Sequence, residues 1–105
     1  MEKAFAILAL LSTMTMHAQI GTPTDRIAVD QFGVPADVPA IRRFVGDVEL
    51  VEDAACALGS TLGGDPCGLL GAVGTFSFHP RKVITTGEGG MLVTRDRRRS
   101  SALQA

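Results

Sequence analysis

Lys82 stands between an aromatic run, Thr75-Phe76-Ser77-Phe78, and a glycine-rich turn, Gly87-Glu88-Gly89-Gly90. A lysine held against apolar and backbone groups gives up its proton more readily and becomes an amine nucleophile able to form a Schiff base with a carbonyl compound. A lysine at the surface is only a solvated cation, and the local pattern leaves both readings open. Asp53 is the second candidate, because it falls at the carboxyl end of an expected strand, where open α/β sheets gather their ligands. The same aspartate could instead cap a short helix after it. Ser77 and His79 complete, with Asp53, the residue types of a hydrolytic triad. The chain has no GxSxG elbow, however, and two residues at i and i+2 of one strand share a face without an oxyanion hole.

Cys56 and Cys67 lie eleven residues apart with no CxxC pair and no nearby pair of histidines, which is not a zinc pattern. They are two ordinary thiols, or, in an exported chain, a disulfide closing one loop. Arg95, Arg97, Arg98 and Arg99 crowd the C-terminal end, but no aromatic residue is interleaved with them. With a net charge of −1 for the whole chain, that run reads as a solvated helix start rather than a nucleic-acid surface.

The elements that must position these residues are short. A chain of 105 residues makes one domain, and its 12 glycines and 5 prolines imply many turns between brief elements. Residues 1–20 have the order of a signal peptide: Lys3, the apolar run Ala4 to Leu11, and the small-residue step Met16-His17-Ala18. The apolar run is too short to span a membrane, and it could equally form a core helix of a larger domain. Arg26 to Gln31 reads as a β-branched strand. Asp37 is placed to cap a helix over Val38 to Val45, with Pro39 in its first turn and Gly46 as its stop. Val48 to Val51 is a second strand running into Glu52 and Asp53, so strand, helix and strand predict a βαβ unit of a parallel sheet. Ala54 to Leu58 predicts a brief helical turn, Thr75 to Phe78 and Gly90 to Thr94 two more strands around the Lys82 turn, and Arg95 to Ala105 a basic helix start.

Several separated motifs in one order carry a family resemblance: Phe32-Gly33-Val34-Pro35-Ala36-Asp37, Val51-Glu52-Asp53-Ala54-Ala55 through Gly59, Gly68 to Gly74, Phe76 to Lys82, and Gly87-Glu88-Gly89-Gly90. From about Thr24 to Thr94 the chain resembles the DegT/StrS group of sugar aminotransferases, which are pyridoxal-phosphate enzymes. The resemblance implies part of a fold type I aminotransferase large domain over residues 21–94, a βαβ unit plus short strands around the lysine turn. It also implies truncation at both ends, with a basic tail at 95–105.

By that resemblance Lys82 matches the lysine that holds pyridoxal phosphate covalently. Asp53 matches the carboxylate paired with the protonated pyridine nitrogen, and Ser77 a hydroxyl that bonds the cofactor phosphate. A carboxylate at that nitrogen keeps the ring cationic and lets it act as an electron sink. The implied reaction moves an amino group from a donor, commonly glutamate, to a nucleotide-linked keto-sugar. The implied setting is a cytoplasmic homodimer with no nucleic-acid or membrane partner and no metal. A small exported binding domain with a Cys56–Cys67 disulfide is the alternative if the first residues are a signal, and a catalytically inactive remnant is the other. Two positions depart from the family pattern: Cys56 where a glutamine is common, and Val83 where an asparagine often follows the lysine.

Overall fold

The computed structural model describes residues 25–104. The signal-like segment at 1–20 lies outside them. Four strands form the main sheet in the order β1 (Asp25–Val29), β2 (Glu49–Asp53), β5 (Val73–Ser77) and β6 (Gly90–Val93). The first three run parallel, with Val29 opposite Asp53 and Asp53 opposite Thr75, while β6 runs antiparallel to β5 and sets Gly90 opposite Ser77. A two-residue hairpin, β3 (Thr61–Leu62) with β4 (Asp65–Pro66), stands apart from this sheet.

Helix α1 (Val38–Val45) joins β1 to β2 and has the predicted bounds. The Asp37 carboxylate accepts the Ala40 N–H at 2.9 Å, satisfying one of the amides that a helix start leaves unpaired. Pro39 occupies the first turn, where its missing N–H costs nothing. Gly46, at φ 69°, closes the helix by donating to the Arg42 carbonyl at 3.0 Å. Val38 and Ile41 bury the apolar face of α1 against Ala28 and Leu50, with Val45 and Leu70 packed at the margin. A second cluster, Ala54, Ala57 and Cys67, is covered by Leu70 and Phe76.

Strand alternation therefore sorts the sheet into two faces. Ala28, Leu50 and Glu52 are buried beneath α1 and the glycine-rich segment, while Ile27, Val51, Asp53, Thr75 and Ser77 are exposed or half-buried. Two glycines make the covered face possible. A Cβ on Gly74 would lie 1.9 Å from the Gly68 carbonyl oxygen, and one on Gly68 would lie 2.4 Å from the Phe76 ring. The segment from Gly68 to Gly71 can thus lie directly on the sheet.

Two local expectations fail. Ala54 to Leu58 is a tight turn rather than a helix, because after the Ala57 N–H bonds the Ala54 carbonyl (2.9 Å) the chain turns away through the Ser60 N–H to Ala57 carbonyl bond (3.0 Å). The β3–β4 hairpin was not expected, although Gly63 and Gly64, both with positive φ, are the residues such a two-residue turn requires. The basic end does form a helix, α2 (Arg97–Gln104), which buries no residue and is tied back by an ion pair from Arg99 to Glu49. Among the described residues no helix is long and apolar enough to cross a membrane.

Candidate functional site

At the carboxyl end of β2 the chain leaves the sheet through Asp53. Its Oδ1 accepts the Ala55 N–H at 3.1 Å and lies 3.5 Å from the Thr75 hydroxyl, the outer limit of a hydrogen bond. Both contacts fall on one oxygen, so Oδ2 is left free among the described residues. The turn that follows sends Ala55 and Cys56 toward the loop between β5 and β6.

That loop spans residues 78–89 and is closed by its own backbone. The Phe78 N–H donates to the Gly89 carbonyl at 2.9 Å, and the Thr86 N–H and Thr85 hydroxyl both donate to the Phe78 carbonyl, at 3.1 and 2.7 Å. Within it the Lys82 N–H donates to the His79 carbonyl at 2.9 Å, a turn that carries the lysine back over the strand ends. Its Nζ lies 3.1 Å from Cys56 Sγ. Cys56, Ser77, Arg81 and Lys82, with the apolar Ala55, Leu58, Val83 and Ile84, line a pocket of about 370 Å³ that includes space open to solvent.

Of the residues singled out from sequence, Lys82 and Ser77 share this pocket. Asp53 is not among its lining residues and stands beside it, two positions before Ala55. His79 is not brought to the site: it is exposed, its Nδ1 accepts the Arg81 N–H at 3.3 Å, and its backbone N–H, not its ring, meets Ser77 Oγ at 3.4 Å. A hydrolytic Ser77, His79 and Asp53 arrangement is therefore not assembled. Nor is the Cys56–Cys67 disulfide: both thiols are free, Cys56 exposed at the pocket and Cys67 buried in the second core cluster. The physical reason is the turn at Ala54–Ala57, which carries Cys56 outward while Cys67 packs inward under Leu70 and Phe76.

The sequence reading missed a second polar group on the covered face. Glu52 is fully buried, and its carboxylate accepts the N–H groups of Gly68, Leu70 and Gly71 at 2.6, 2.8 and 3.0 Å. Asp30, 1% exposed, accepts the Ala36 N–H on Oδ1 at 2.8 Å, while its Oδ2 has no partner. Burial pushes the Asp30 carboxyl up to about 6, the Ala36 hydrogen bond opposing and the Glu52 charge adding to the rise. Burial, with the charges of Asp30 and Glu52, pushes the neighbouring Cys67 thiol up to about 12. The available signal was an acid at position 52, two residues after the core residue Leu50 and hence on the same strand face.

A lysine amine and a hydroxyl on one pocket, with a carboxylate beside it, thus stand at the carboxyl end of a mostly parallel sheet in an α/β protein. Comparison with known proteins gives the family. Residues 11–104 match the DegT/DnrJ/EryC1/StrS aminotransferase family, and the chain belongs to it. It is 39% identical over 90 residues to the GDP-perosamine synthase of Escherichia coli O157:H7, covering 83% of this chain and 25% of that protein. It is 41% identical over 66 residues to a dTDP-4-dehydro-2,3,6-trideoxy-D-glucose 4-aminotransferase of Saccharopolyspora spinosa, covering 61% of this chain and 17% of that one. Among solved structures, DesI in the presence of its TDP-sugar product superposes with a TM-score of 0.72 at 34% identity, over 75% of this chain and 21% of that chain. A GDP-4-keto-6-deoxy-D-mannose-3-dehydratase of E. coli with bound hydrated PLP superposes with a TM-score of 0.73 at 26% identity, over 96% of this chain and 24% of that one. The chain thus spans a quarter or less of the length of these relatives. The partial fold type I architecture expected from sequence is the one observed.

Proposed function

We propose that this chain carries the lysine-bearing part of a pyridoxal-phosphate site in an aminotransferase acting on a nucleotide-linked keto-sugar. The single observation that supports it best is the position of Lys82 Nζ, which lines a pocket together with Ser77 beside the end of the strand that carries Asp53. The residues present fit the cofactor by their chemistry. The amine suits an aldehyde, the free Oδ2 of Asp53 suits a cationic ring nitrogen, and Ser77 with Arg81 suits a phosphate.

When bound, pyridoxal phosphate supplies an electron sink for the carbanion formed at the substrate carbon. The protein's part is binding and proton handling. Lys82 would hold the aldehyde carbon, and its amine, when free, would move a proton at the donor's α-carbon. Asp53 would keep the ring nitrogen protonated through a charge-assisted hydrogen bond. The Ala55 N–H holds the carboxylate in place on its other oxygen. Ser77, the last residue of β5, would donate its hydroxyl to the phosphate five residues before Lys82. Glutamate is the proposed amino donor, and a second copy of the full-length protein the proposed partner. The dehydratase among the structural neighbours means that fold alone does not choose the reaction.

The test is to add pyridoxal phosphate to the purified protein, reduce with borohydride and map the modified peptide. A single adduct on Lys82, with a visible absorbance band that Lys82→Ala abolishes, is the expected result. Modification spread over surface lysines, or unchanged by Lys82→Ala, overturns the reading.

A further inference from the structure

Cys56 and Lys82 are two nucleophiles held face to face. Their side-chain termini are 3.1 Å apart at one pocket, and each is anchored by a short turn: Cys56 by the Ala57 N–H to Ala54 carbonyl bond, Lys82 by its own N–H to the His79 carbonyl. We propose that this pair is a peroxide-responsive modification site, in which oxidation of Cys56 leads to a covalent sulfur–nitrogen bond with Lys82 that closes the pocket.

Three observations carry it. Cys56 is exposed, so a small hydroperoxide reaches it. It shares an open pocket with two basic side chains, Lys82 at 3.1 Å and Arg81 elsewhere on the lining, a setting in which thiols are oxidised. The lysine amine, on a flexible four-carbon stem, already occupies the approach to the sulfur, so no backbone movement is needed to bring the partners together. Cys67 is the internal contrast. It is 3% exposed, it faces Asp30 and Glu52, and its thiol is pushed up to about 12, so it neither meets the oxidant nor has an amine partner.

The chemistry balances in two steps. Hydrogen peroxide transfers one oxygen to the Cys56 thiol, giving a sulfenic acid and water; sulfur is oxidised as the O–O bond breaks. The unprotonated Lys82 amine then attacks that sulfur. The S–O bond breaks, hydroxide leaves and takes the amine proton, and a second water is released as the S–N bond forms. Two equivalents of an external thiol reverse the bond, regenerating the cysteine and the amine and forming one disulfide. The cross-link itself needs no cofactor. Its consequence, an amine withdrawn from carbonyl chemistry, rests on the function proposed above.

The test is mass spectrometry of the whole chain after hydrogen peroxide, with peptide mapping. The expected product has lost two hydrogens relative to the reduced chain, contains a Cys56–Lys82 cross-linked peptide, and reverts with dithiothreitol. It is absent in Cys56→Ser and in Lys82→Arg, both exposed or half-buried positions whose folding is checked by circular dichroism. In Lys82→Arg, dimedone traps Cys56 sulfenic acid that the wild type does not retain. Equal dimedone labelling of Cys56 in wild type and Lys82→Arg, with no two-hydrogen loss, overturns the proposal. A parallel arm with saturating pyridoxal phosphate separates the two readings. A cross-link suppressed several-fold supports both, whereas one formed undiminished supports the modification site and counts against Lys82 as the cofactor lysine.

Discussion

Glu52 and Asp53 are neighbours on one strand and do opposite work. Glu52 faces the covered side, where three backbone N–H groups saturate it and, through it, bind the glycine-rich segment to the sheet. Asp53 faces the open side and keeps one oxygen unengaged. The same contrast runs through the thiols: Cys67 is packed with Asp30 and Glu52 under Phe76, and Cys56 is exposed against Lys82. A polar group buried by the chain serves the fold, whereas one left partly unsatisfied at an open strand end is available to a ligand.

Substitutions that cross this divide should have unequal costs. Glu52→Ala leaves three amides without their acceptor in the core, and a loss of about 3 kcal/mol or more is expected, read as a collapsed urea midpoint. A change below ~1 kcal/mol would mean that Glu52 does not hold the segment.

Asp30 provides the pH axis. Its folded carboxyl is raised to about 6, above the ordinary value near 3.8, so the folded state holds the proton more tightly than the unfolded state. The resulting stability is fully present below about pH 4 and is lost as pH rises through about 6, a change of about 1–3 kcal/mol. Asp30→Asn should flatten that slope, measured as urea midpoints across this window. On the open side, Asp53→Asn keeps the oxygen that accepts from Ala55 but removes the charge. Pyridoxal-phosphate affinity should fall roughly tenfold, about 1.4 kcal/mol, with a stability change under ~0.5 kcal/mol. The smallest effects separate the cysteines: Cys67→Ser buries a hydroxyl and costs about 1 kcal/mol, whereas Cys56→Ser stays within ~0.5 kcal/mol by the same denaturation.

The helix and strand framework was legible because its signals are local. Asp37, Pro39 and Gly46 delimit α1 by capping, ring geometry and positive φ, and none of these needs a distant partner. The strands follow from their β-branched runs, though the third begins at Val73 rather than Thr75, because the parallel ladder with Val51 extends it. The Ala54–Leu58 turn was misread because three alanines and a leucine favour a helix, and tertiary hydrogen bonding overrode that preference. Of the candidate site, Lys82 and Ser77 were singled out from the order of motifs, and the structure puts both on one pocket. Asp30, Glu52 and Cys67 were not, since they lie at separations of 15 to 37 residues and become neighbours only when α1 and the glycine segment close over the sheet.

By itself the sequence determined α1, the strands of the main sheet, the family and the candidate residues for its chemistry, because propensity, caps and motif order are properties of short stretches. Only the tertiary structure decided which of two adjacent acids is buried, which cysteine meets Lys82, and that His79 stays out of the site. Those outcomes depend on which face of a strand is covered, and alternation along a strand distinguishes two faces without saying which one the rest of the chain will bury.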